Sequence, residues 1–113
     1  LIYENEQEWA ATPKTEADSI MAEYFAFGDN YRNSGHVLGG NALQPTQTAS
    51  TVRVRNGKIS TTDGPFAETR EQLGGFYLLE AKDLNEAIQI AAKIPAARTG
   101  GVEVRPIMEF KRD

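Results

Sequence analysis

Four consecutive apolar residues, Phe76-Tyr77-Leu78-Leu79, impose the strongest constraint on what this chain can fold into. Successive side chains of a strand point to opposite faces, so this strand is apolar on both and must be covered on both. Two segments have the period of an amphipathic helix and can supply one cover. Ala17, Ile20, Met21, Tyr24, Phe27 and Tyr31 recur at intervals of three and four, with Glu16, Glu23 and Asp29 mostly on other faces. Leu84, Ala87, Ile88, Ala91 and Ile94 form a second stripe, opened by the capping box Asp83-Leu84-Asn85-Glu86 and closed by Pro95. Two helices cover only one face of a sheet. The other face predicts a second copy of the same sheet, hence a homodimer packed face to face.

The remaining elements fall around these. Leu1-Ile2-Tyr3 reads as the end of a central strand whose first residues precede the numbering used here. Asn5 can cap one helical turn carrying Trp9, the single tryptophan, as a lid on the core or, second to that, a ligand-stacking residue. Thr12-Pro13 reads as a start for the long helix, and Thr15 with Asp18 offers a second. Asn33-Ser34-Gly35 ends that helix, with Gly35 suited to the left-handed position. His36 to Leu43 reads as a strand in which Gly39-Gly40 marks a bulge or a close approach. Ser50 to Arg55 alternates, Asn56-Gly57 is a type I′ hairpin turn, and the return strand Lys58 to Thr62 sets Val54 beside Ile59 and Arg53 beside Ser60. Asp63 to Gly75 is bracketed by Gly64-Pro65 and Gly74-Gly75, which predicts an ordered loop or short helix with Phe66 and Leu73 as apolar pins. The last strand runs from Val102 to Phe110, at an edge or bulge where Pro106 has no amide to donate. The 113 residues make one domain, 1–113. Two strand–helix–strand halves around one antiparallel sheet give an α+β, ferredoxin-like arrangement with an inserted β-hairpin.

Composition excludes several classes of chemistry. With no cysteine there is no disulfide, thiolate nucleophile or zinc–thiolate site. A net charge of −4 argues against nucleic acid, which needs a concentrated basic patch. No apolar run reaches the ~20 residues that span a bilayer, and an intracellular, cytoplasmic location fits. One histidine and scattered carboxylates give no metal-ligand spacing, and no glycine-rich loop leads from a strand into a helix, so no metal or cofactor is implied.

The residues that could carry chemistry are few. His36 is the one imidazole and so the one histidine acid–base candidate, or a structural residue at a strand start. Asp63, before Gly64-Pro65, is either a general base at a loop edge or a cap on its own turn. Arg53 shares a strand face with Arg55 and suits bidentate capture of a carboxylate, or membership of a surface ion network.

The run Asp63-Gly64-Pro65-Phe66-Ala67-Glu68-Thr69-Arg70-Glu71-Gln72-Leu73-Gly74-Gly75-Phe76-Tyr77 resembles the signature of the DGPF branch of the YCII-related family. Leu43-Gln44-Pro45, Thr51-Val52-Arg53 and Gly101-Val102-Glu103-Val104-Arg105-Pro106 agree with it, so the resemblance covers almost the whole chain. It implies a dimeric α+β barrel. Functionally it implies a cofactor-free isomerase, lyase or dehalogenase-type enzyme acting on a small anionic organic molecule. The alternative is a non-catalytic dimeric module, binding a ligand or a partner tied to sigma-factor transcription. Shorter members carry a helical histidine paired with an aspartate. The histidine's place falls on Tyr24 here, which implies a substrate-lining role for Tyr24 and leaves Asp63 as the loose counterpart of the aspartate.

Overall fold

The computed structural model describes residues 1–112 and is α+β. The elements are β1 (Ile2–Glu4), α1 (Glu6–Ala11), α2 (Lys14–Asn33), β2 (Val37–Ala42), β3 (Ser50–Arg55), β4 (Lys58–Asp63), β5 (Gln72–Leu79), α3 (Leu84–Ala91) and β6 (Gly101–Val102). Short 3-10 turns lie at Thr46–Thr48 and Pro95–Arg98. Four strands form a sheet of order β2-β5-β1-β6, and each neighbouring pair is antiparallel. β3 and β4 form a separate two-stranded sheet.

The core lies between α2, α3 and one face of the larger sheet. Ile2, Phe27, Val37, Ile90, Ile94 and Ala96 are buried there, with Tyr24, Tyr31, Tyr77, Leu79 and Val102 packed around them. Phe27 holds the centre, with ring centroids 4.9 Å from Tyr31 and 5.0 Å from Tyr77. Truncating it to alanine would cost about 3–5 kcal/mol. The opposite face of the sheet is uncovered: Leu38, Phe76 and Leu78 stand 59%, 38% and 40% exposed.

Local chemistry sets the boundaries. Asn5 Oδ1 accepts from the Glu8 N–H and starts α1, while Asp83 Oδ1 accepts from the Glu86 N–H and starts α3. Gly35 closes α2 at φ +82°. Asn56 (φ 52°) and Gly57 (φ 73°) make the β3–β4 turn, with Val54 opposite Ile59 and Arg53 opposite Ser60. In β2 the register shifts between Val37 and Gly39. Beyond it the strands close so far that a Cβ on Gly40 would lie 2.5 Å from the Phe76 carbonyl oxygen.

Several expectations are corrected. There are three α-helices among the described residues, not two, because the turn around Trp9 is a helix of its own. Thr12 does not cap α2. It ends α1, donating its hydroxyl to the Glu8 carbonyl, and Pro13 precedes α2 without a side-chain cap. Thr15 lies inside that helix, where Lys14 pairs with Asp18 at 2.7 Å. Gly74-Gly75 does not break structure but lies within β5, where pairing with β1 on one edge and β2 on the other overrides glycine's weak strand preference. The connection between β4 and β5 contains no helix, and Phe66 is 80% exposed rather than pinned. α3 ends at Ala91, and Pro95 opens a 3-10 turn instead of closing the helix. Its inward residues are Ala87, Ile90 and Ala91, with Leu84 and Ile88 half-exposed. The last strand is only Gly101–Val102, paired with β1 and followed by backbone bonds between Leu1 and Glu103.

Candidate functional site

A cleft of about 810 Å³ opens between the sheet and the helices. Its floor is nearly bare backbone: Gly40, Asn41 and Ala42 from β2, Gly74 and Gly75 from β5, and Ile2 from β1. Met21, Tyr24, Phe25 and Gly28 of α2 form one wall, Trp9 and Ala10 of α1 another, and Leu43, Pro45 and Thr46 the rim. That volume lies within the ~300–1,000 Å³ of small-molecule sites.

The polar groups have distinct fixings. Tyr24 donates its hydroxyl to Glu4 Oε1 at 3.0 Å, and both residues are half-buried. Burial first, then the Glu4 charge and that hydrogen bond, push the Tyr24 phenol well above its ordinary value, with a backbone bond from Ala96 acting the other way. Tyr24 is therefore a neutral donor at physiological pH. It cannot serve as a phenolate, and it orients one carboxylate oxygen of Glu4.

Glu6 is held differently. Its two oxygens accept from the Thr46 N–H and hydroxyl, both at 2.7 Å, while its own N–H donates to Gln72 Oε1 at 2.9 Å. These bonds strap α1 to the cleft rim and to β5. Arg32 is the cleft's one cationic lining residue; it passes over the bare flank of Gly28 and has Asp29 only at 4.0 Å. Burial also raises the Tyr77 phenol, against the pull of Arg32.

Of the residues singled out from sequence, Tyr24 lines this cleft and His36, Arg53 and Asp63 do not. His36 ties the end of α2 to the start of α3: Nδ1 lies 2.7 Å from Ser34 Oγ and Nε2 3.2 Å from Glu86 Oε1. Arg53 lies over the Phe66 ring, 5.2 Å from its centroid, on the β3–β4 hairpin. Asp63 ends β4 opposite Ser50 and is exposed. The cleft residues that sequence reasoning missed are Glu4 and Arg32. A lone glutamate ending a short strand and an arginine in the last turn of a helix have no motif; Trp9, read first as a lid on the core and second as a ligand-stacking residue, forms a wall of the cleft.

Among the described residues no group of three or more His, Cys, Asp or Glu is placed to hold a metal. Nor is any helix long and apolar enough to cross a membrane.

Fold and cleft together define a small α+β domain with helices on one side of an antiparallel sheet and a ligand-sized cavity between them. The chain belongs to the YCII-related domain family, which matches residues 1–111. It is 38% identical to an uncharacterised protein of Rhizobium meliloti (strain 1021) over 113 residues, an alignment covering 98% of this chain and 91% of the relative.

Proposed function

We propose that this chain is a ferredoxin-like member of its family that dimerises through the free sheet face, and that its cleft binds a small organic molecule and moves a proton on it without a cofactor. The observation that carries the reading is the Glu4–Tyr24 pair at the inner end of an apolar cleft. Tyr24 occupies one oxygen of Glu4 and leaves the other available as a base. A carboxylate backed by a neutral hydroxyl can take a proton from a carbon acid and return it elsewhere, which suffices for an isomerase, a lyase or an elimination.

The charge around the cleft limits the ligand. Glu4, Glu6 and Asp29 face a single cation, Arg32, so a multiply charged anion is disfavoured. A mainly apolar molecule with one acid group fits, its carboxylate at Arg32 and its carbon skeleton against Trp9, Met21 and Phe25. Arg32, rather than Arg53, is then the carboxylate partner within one chain.

A fragment screen tests this reading. Trp9 is the only tryptophan, so ligands in the cleft change its fluorescence, and they shift the amides of Glu4, Asn41 and Gly75. Glu4→Gln is expected to keep binding and to abolish proton exchange into bound carbon acids in deuterated water. Exchange unaffected by Glu4→Gln removes the catalytic part and leaves the non-catalytic binding module. A screen with no cleft ligand at millimolar concentration removes the site altogether.

A further inference from the structure

The β3–β4 hairpin projects from the fold as an arm. It grows from the far ends of β2 and β5 and pairs only with itself, without entering the four-stranded sheet. The register places Val52, Val54, Ile59 and Thr61 on one face and Arg53, Arg55, Lys58 and Ser60 on the other. The loop after β4 partly covers only the base of the polar face, where Arg53 lies over Phe66 and the Thr51 hydroxyl donates to the Gly64 carbonyl, while Arg55, Lys58 and Ser60 are exposed. The apolar face is bare, with Val52 61%, Val54 58% and Ile59 76% exposed. An isolated two-stranded hairpin is at best marginally stable in water.

Three observations identify what covers it. The arm continues the two strands whose free face carries Leu38, Phe76 and Leu78, so both apolar surfaces need a partner. The arm, residues 50–63, carries three cations against one carboxylate, Asp63 at its base, in a chain of net charge −4, so the rest of the same chain is the acidic complement. The radius of gyration is 16.6 Å, against about 13 Å for a self-contained domain of this length, with one axis of only 19 Å. A flat subunit with a free sheet face and an outstretched arm suits a two-fold pair.

We propose that the β3–β4 arm is a dimer clasp whose Val52–Val54–Ile59 face seats on a second copy of this chain, adding to the sheet-face contact proposed above. The arm makes the interface larger than the sheet face alone and places the basic strip against an acidic body.

Sedimentation equilibrium on the full chain tests it, with Ile59→Asp and Val54→Asp for the arm and Leu78→Asp for the sheet face. The arm positions are exposed and outside the main sheet, so these variants leave the subunit folded, which the near-ultraviolet dichroism of Trp9 checks. Each substitution occurs twice in a two-fold dimer. We expect each arm variant to weaken dimerisation at least tenfold, and higher salt to weaken it further. Because the chain has no cysteine, a spin label on Ser60→Cys reports a defined inter-protomer distance that Ile59→Asp abolishes. If Leu78→Asp weakens the dimer and neither arm variant does, the clasp is overturned and the sheet-face dimer stands. If only the arm variants act, the clasp stands and the sheet-face reading fails. A chain that is monomeric at 100 µM (on the order of the weakest useful affinity) overturns both.

Discussion

The Glu4–Tyr24 bond permits a quantitative test through a double-mutant cycle of Tyr24→Phe and Glu4→Gln. A hydrogen bond to a charged group contributes about 1.5–3 kcal/mol when buried. Here both partners are half-buried beside an open cleft of about 810 Å³. Water therefore reaches the Glu4 oxygen that Tyr24→Phe strands, and screening brings the coupling to about 1 kcal/mol. For a chain of 113 residues that is about 4 °C in Tm. Urea denaturation of the four proteins at pH 7 measures it. The ring itself stays in place in Tyr24→Phe, so packing against the core is retained and the difference reports the hydroxyl. Once Glu4 is Gln, the same Tyr24→Phe change should cost less, by that 1 kcal/mol. Additivity within about 0.3 kcal/mol would mean that the two groups do not interact in solution, and the assignment of Glu4 as an oriented base would fall with it.

Two further outcomes are expected. A Cβ on Gly100 would meet the Tyr3 carbonyl carbon at 3.1 Å and the Glu4 Cα at 3.2 Å, so Gly100→Ala should destabilise by about 2 kcal/mol or more in urea titration, whereas Gly39→Ala, with nothing within 4 Å, should cost less than about 1 kcal/mol. Raised phenol values at Tyr24 and Tyr77 mean that the folded state keeps protons the unfolded chain releases above about pH 10. Stability is then fully present below that pH and lost as pH rises through it, which denaturation at pH 9, 10 and 11 with Tyr24→Phe as control will show as a smaller loss in the variant.

Periodicity made much of the fold legible. The stripe ending at Tyr31 is α2, and Asn56-Gly57 fixed the hairpin register to the residue, because both are local consequences of backbone geometry. Glycine was harder. Gly39-Gly40 announced a bulge correctly, yet Gly74-Gly75, read as a break, lies inside β5 with only a register shift against β1 at Gly74, since the pairing on both edges of β5 is a tertiary fact absent from the local sequence. Tyr24 reached the cleft through family resemblance rather than through any signal in its own stripe. Glu4 was illegible for a different reason: its significance depends on a hydroxyl 20 residues away. Asp63 drew attention because it is bracketed by turn residues, and those residues mark where the arm rejoins the fold rather than the cleft.

The cleft and the proposed partner contact share one origin. A closed domain of this length would set large side chains over the sheet between α1 and α2. Here Gly40, Ala42, Gly74 and Gly75 occupy that floor, and strand β2 approaches β5 so closely that a Cβ on Gly75 would lie 2.9 Å from the Asn41 carbonyl oxygen. The tight backbone packing that makes Gly40 and Gly75 necessary also leaves the space above them empty. With Pro95, only eight apolar side chains are buried among the described residues, few for a chain of 113. Apolar side chains that could have filled the floor stand instead on the arm and the opposite sheet face. Burying them against a second copy at about 25 cal/mol per Å² would supply stabilisation that the hollowed core does not. In the dimer proposed above, cleft and clasp are a single design: the subunit would keep its interior open for a ligand and draw part of its stability from a second copy.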